Sequence, residues 1–164
     1  DWSSDVCSSD LVQGFDPGVH ALATLARLDV ELLPRKGLAV PDRRATRGLR
    51  IASLGRGAGM DMVAQLDGAV HQRVNSLGAM VAMLHNGRVD AVVSVKESLR
   101  YTLEQSGLRL ADFGAPLVLG RLDLTLWATP GMPALERQRL TLAANTLTRS
   151  GEFARVLSRY AANP

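Results

Sequence analysis

Aromatic residues are scarce in this chain: three Phe, two Trp and two Tyr among 164 residues. Surfaces that bind single-stranded nucleic acid stack bases on such rings, and the 19 Lys and Arg are scattered, with no run of five. The basic excess therefore reads as a solvated surface, and nucleic acid is not expected as a partner. Cys7 is the only cysteine, which rules out an internal disulfide. His20, His71 and His85 stand too far apart for the short ligand spacings of a zinc site, so no metal and no cofactor are expected. No apolar run approaches the roughly 20 residues that span a bilayer. No Gly-x-Ser-x-Gly elbow occurs either, and the chain is not expected to be an enzyme.

The first eleven residues, DWSSDVCSSDL, differ in character from the rest of the chain. They carry no base, no apolar core and no helical or alternating pattern, so they are neither a secretory signal nor an amphipathic element. They resemble the translation of a sequencing-library adapter and are set aside, with the native N-terminus expected to lie further upstream. Without Asp1, Asp5 and Asp10, 13 of the 16 acids remain against 19 bases, a net charge of +6. About 150 residues then suit one compact domain or part of a larger one.

From Arg47 onward the pattern becomes regular. GLRIASL (48–54) reads as a buried strand, GRGAG (55–59) as a tight loop and MDMVAQLDGAV (60–70) as a helix. HQRV (71–74) suits a short second strand. Leu77, Met80, Val81 and Leu84 form one helical stripe, with Asn75 or Ser76 as the N-cap and Gly87 as the stop. RVDAVVSV (88–95) predicts a strand and KESLRYTLEQSG (96–107) a helix. Residues 115–131 read as extended and interrupted at Gly120, residues 133–151 as a helix, and 152–160 as a last short helix. Upstream, ALATL (21–25) suits a helix and RLDVELLPRKG (27–37) an extended segment leading to a turn. Strands alternating with helices point to a mainly parallel α/β sheet, with helices on both faces. Trp127 suits the core or the lining of a cleft, and the methionines at 60, 62, 80 and 83 fill packing gaps. His71 and His20 are expected at the surface.

Three phrases in this order, ATRGLRIASLGRGAG, GRVDAVVSV and RLDLTLWATPG…LTRSGEFARVLSRY, resemble the family 3 extracellular solute-binding proteins. These are the amino-acid-type receptors of ABC importers, with the type II periplasmic binding fold. The resemblance covers about residues 28–161. It implies two α/β lobes joined by two crossing strands: residues 12–46 as a remnant of lobe 1 with the outgoing hinge, 47–118 as lobe 2, and 119–164 as the return hinge with helices that pack on lobe 1. Lobe 2 would be largely complete and lobe 1 truncated, leaving apolar surface exposed on helix 133–151. The implied function is that of a periplasmic receptor, its signal peptide lost with the N-terminus, that clamps a small polar or anionic solute between its lobes. It would hand the solute to importer membrane subunits and be a monomer when intact.

The expected site is the edge where strands end and helices begin: Gly55, Arg56, Gly57 and Ala58, then Asn75 and Ser76, then Ser94 and Val95. Uncapped amides and the positive end of a helix attract carboxylates there. The family places a Ser or Thr in the first loop; Arg56 either replaces it, pairing with an anion, or faces solvent. The family aspartate that holds a ligand ammonium falls at Val95, beside Lys96. A cation there would be unpaired, so a standard α-amino acid is not expected as ligand. The same fold also serves as the effector domain of LysR-type regulators and as the sensor module of some histidine kinases. A dinucleotide-binding enzyme is a further alternative, because LRIASLGRGAGMDMV resembles a Rossmann fingerprint, although QRVNSLG lacks the acid that would hold a ribose.

Overall fold

The computed structural model describes residues 19–161; the adapter-like stretch lies outside them. The strands are β1 (His20–Pro34), β2 (Arg50–Leu54), β3 (Val70–Val74), β4 (Ala91–Val95) and β5 (Leu117–Ala128). The α-helices are α1 (Ala58–Ala64), α2 (Leu77–His85), α3 (Lys96–Gln105), α4 (Ala134–Arg149) and α5 (Glu152–Ala161). The strands form one sheet in the order β3-β2-β4-β1-β5.

Two kinds of pairing meet in that sheet. β2 lies parallel to β3 and to β4, as the alternation of strands and helices predicts. β1 runs antiparallel to β4 on one side and to β5 on the other, so the sheet as a whole is mixed. The parallel part is sandwiched. Leu33, Ala52 and Val92 meet α2 and α3 through Met80, Leu84, Leu99 and Leu103. On the other face Ile51, Ala91 and Val93 meet Val63 of α1 and Leu66 just after it. Two covered faces explain why these strands are apolar throughout rather than alternating.

Several boundaries differ from the expectation. Residues 21–25 are strand, not helix: Ala and Leu are strong helix formers, but tertiary context overrides intrinsic propensity, here through the long ladder to β5 that runs from His20↔Ala128 to Leu32↔Leu117. The helix expected over 60–70 is α1, which stops at Ala64. Gly68, at φ +73°, turns the chain, and Val70 already pairs with Arg50 in the sheet. The interruption expected at Gly120 is a register shift between Val30 and Glu31 on the facing strand. Ser76 rather than Asn75 caps α2, its hydroxyl accepting from the Ala79 amide at 3.2 Å.

At the end of the sheet where β2 and β4 begin, Asp90 accepts from the Arg50 amide and from Nε of its guanidinium, both at 3.0 Å, with Arg35 close by. The Arg50 side-chain hydrogen bond, outweighing partial desolvation, holds the Asp90 carboxyl at about 2. A depressed carboxylate stabilises the fold above its unfolded value near 3.9, and that contribution disappears as pH falls through about 2. Asp90→Asn should therefore be less stable than the parent at neutral pH, with the gap closing between about pH 4 and pH 2. Urea denaturation across that range checks it; a gap independent of pH contradicts the assignment.

α4 rests on β1, while α5 touches α3 and β1 as well as α4. Only Ala144 of α4 is buried; Leu135, Leu140, Leu142 and Leu147 are exposed. Exposed leucines therefore lie on two flanks of α4.

Candidate functional site

The parallel register brings three strand ends together. Leu54 of β2 pairs with Val74 of β3, and Ala52 of β2 with Val92 of β4. The segments at these ends, Gly55–Ala58, Asn75–Ser76 and Ser94–Val95, consequently share one edge of the sheet. Each leads into a helix: α1, α2 and α3 begin at Ala58, Leu77 and Lys96. Helix starts carry amides without intrahelical acceptors, and side-chain capping differs among the three. Ser76 caps α2, whereas Gly57 and Val95 give α1 and α3 no side-chain cap.

The expected residues occupy different environments along this edge. The Gly55 amide donates to the Val74 carbonyl at 2.9 Å, which ties the first loop to β3. Arg56 is exposed. Gly57 is buried at φ +101°, a conformation that favours glycine, and it leads directly into Ala58. Asn75 and Ser76 are exposed. Val95 is half-buried and packs with the α1-side core. Ser94 is the outlier: it is buried and sits opposite Glu31 of β1, pointing to the α2–α3 face rather than lying open at the edge.

Glu31 and Arg100 lie on that face and had no place in the sequence reading. Arg100 Nη2 donates to Glu31 Oε2 at 2.7 Å, with both side chains at most 6% exposed. The pair ties α3 to the strand that leaves this half of the sheet. The signals were a single acid inside the apolar run VELLP and a base between Leu99 and Leu103. Nothing local links two residues 69 positions apart.

His71 is also more enclosed than expected. It is half-buried on the α1 face, with its Nε2 2.8 Å from the hydroxyl of Ser53, which is fully buried. Desolvation first, and then the Arg73 charge, lower its pKa. The neutral ring therefore suits the fold, and protonation opposes it. Ser53 has no exposure with which to attack a substrate, so the dyad is structural. His20 is exposed, as expected. Trp127 is half-buried on β5, opposite Ala21.

A cavity of about 380 Å³ opens behind the same edge, between β1 and α5, and Glu97 in the first turn of α3 reaches it. Among the described residues no cluster of three or more His, Cys, Asp or Glu could hold a metal ion. No described helix is long and apolar enough to cross a membrane. The dinucleotide reading loses support, because β3 ends at Val74 with Asn75 and no acid following, and β1 lies antiparallel beside β4.

No family model matches the chain, and no curated protein matches it. Solved structures do. The GLUR0 ligand-binding core in complex with L-glutamate has a TM-score of 0.76 at 14% identity, over 90% of this chain and 66% of that one. A putative binding component of an ABC transporter from Wolinella succinogenes DSM 1740, complexed with lysine, has a TM-score of 0.72 at 14% identity, over 88% and 63%. AbpA, an amino-acid ABC transporter substrate-binding protein from Streptococcus pneumoniae Canada MDR_19A bound to L-arginine, has 0.71 at 15%, over 87% and 61%. The fold is thus the one these binding proteins share, as the resemblance implied, with a mixed sheet where the sequence pattern predicted a mainly parallel one. The chain spans less than two thirds of the length of each of these three.

Proposed function

We propose that this chain is the larger part of a periplasmic solute receptor that delivers a small polar or anionic ligand to the membrane subunits of an ABC-type importer. The observation that carries the reading is the shared edge. Three parallel strands deliver Gly55–Ala58, Asn75–Ser76 and Val95 side by side, next to the long antiparallel pair β1/β5. Such a pair suits a hinge between lobes. The exposed leucines of α4 suit contact with a first lobe, of which residues 12–46 and 119–164 would supply only part. Ligand bound across the cleft would favour a closed state for the importer to read.

The edge itself limits the ligand. Amides at helix starts and Arg56 favour a carboxylate or similar anion. Half-buried Val95 beside Lys96 offers no acceptor for an ammonium, and an unpaired cation there is unfavourable. Titration calorimetry with glutarate and with the standard α-amino acids tests both statements. Glutarate should bind weakly, and Arg56→Ala should reduce its affinity about tenfold, the loss of one charge-assisted hydrogen bond. Sub-micromolar affinity for any standard α-amino acid contradicts the reading of Val95 and of an incomplete cleft.

A further inference from the structure

We propose that the cavity between β1 and α5 is a second binding site, specific for a small organic cation: an ammonium or guanidinium group on a short apolar body. It is lined by Leu25, Ala26, Arg27, Glu97, Phe153 and Leu157, among others. None of these belongs to the strand-end segments, and Glu97 lies two residues beyond Val95, in the first turn of α3.

The Glu97 carboxylate carries the inference. Its Oε2 is buried from solvent and has no hydrogen-bond partner among the described residues. Buried carboxylate oxygens without a donor are disfavoured and rare in folded proteins. Two guanidinium groups lie near, and one of them, that of Arg27, itself lines the hollow. Arg100, one turn further along α3, donates to Glu31, and Arg27 pairs with Asp123 at 3.0 Å, its side chain 74% exposed. Glu97 is the one acid in a lining that also holds Leu25, Ala26, Phe153, Ala154 and Leu157, and its open oxygen favours a cation with an apolar body. A volume of about 380 Å³ lies within the usual range for small-molecule pockets. Phe153 adds an aromatic ring, to whose face a cation is drawn.

The position of the site gives it a consequence. Glu97 sits on α3, over the parallel strands, whereas Phe153 and Leu157 sit on α5 beyond the return strand β5. An occupant touches both, and also touches β1, the other long strand. It therefore ties α3 to α5 across the proposed hinge.

Three probes with a common or closely similar branched alkyl body separate the head group from the body: 3-methylbutylammonium, 3-methylbutanol and 4-methylpentanoate. Each is titrated into the chain while backbone amides are followed by NMR. The ammonium should shift Glu97, Phe153 and Leu157, leaving Gly55–Gly57 and Asn75–Ser76 unmoved, and the other two should bind at least about tenfold more weakly. Glu97→Gln, nearly isosteric, should lower the ammonium affinity about tenfold while leaving the unfolding midpoint within error or higher. Leu157→Trp should fill the hollow and abolish binding with Glu97 intact. Equal responses to the three probes, no response to the ammonium, or unchanged binding by Glu97→Gln would overturn the site without touching the cleft.

Discussion

Arg100→Ala should destabilise the protein by about 3–5 kcal/mol, the usual cost of leaving one charge of a buried pair alone. Glu31 and Arg100 are almost fully buried and meet at 2.7 Å. Removing the guanidinium strands a carboxylate against Ser94 and the apolar strands around it. Domains of this size are stable by only about 5–15 kcal/mol, so the loss is a large fraction of the whole. Replacing both partners tells the pair apart from ordinary packing. Glu31→Leu with Arg100→Met removes both charges and keeps most of the volume, and should cost much less than the sum of the single changes. Chemical denaturation of the four proteins in the cycle measures this. Single changes costing under about 1 kcal/mol, as exposed pairs do, would contradict the burial of the pair.

Gly59→Ala should destabilise by about 1–2 kcal/mol, against the usual benefit of alanine in a helix. Two effects compete. Alanine favours helix over glycine by about 1 kcal/mol. A Cβ at Gly59, however, would lie 2.8 Å from the Val93 carbonyl oxygen and 3.4 Å from Ser53 Cβ. The first neighbour is backbone in a buried strand and cannot swing aside, so α1 must lift, and overpacking of this kind costs about 1–3 kcal/mol. Gly78 in α2 is the internal control, since nothing lies within 4 Å of a Cβ built there. Gly78→Ala should stabilise by up to about 1 kcal/mol. Urea denaturation compares the two directly, and a neutral or stabilised Gly59→Ala would mean that α1 is not seated closely on β4. Because α1 begins at the Gly55–Ala58 loop, Gly59→Ala should also move that loop.

The contrast between these residues shows what the sequence made legible. α2 and its stop were readable because the Leu77, Met80, Val81 and Leu84 stripe, the Ser76 cap and Gly87 all agree locally. β2 and β4 were readable because strands covered on both faces are apolar throughout. β1 was half misread: its Ala-Leu start has a helical bias, and only pairing with β5, about a hundred residues away, makes it extended. α1 was read too long because Asp67-Gly68 looks mild beside the apolar residues around it, although Gly68 turns the chain. The strand-end segments were visible from their position between strand and helix. Glu31–Arg100, Ser53–His71 and the Glu97 cavity were not, since each depends on elements brought together only by the sheet order. Ser94 shows the same limit: alternation along β4 sets its direction, but only the placement of β1 and α3 shows that this direction is closed.

The central claim is that the segments after β2 and β3 form the edge that meets ligand. Backbone amide NMR during the glutarate titration tests it most directly. Shifts should concentrate at Gly55–Met60 and Asn75–Leu77 and diminish in Arg56→Ala. Shifts confined to other surfaces, with these amides unmoved at saturation, would contradict it.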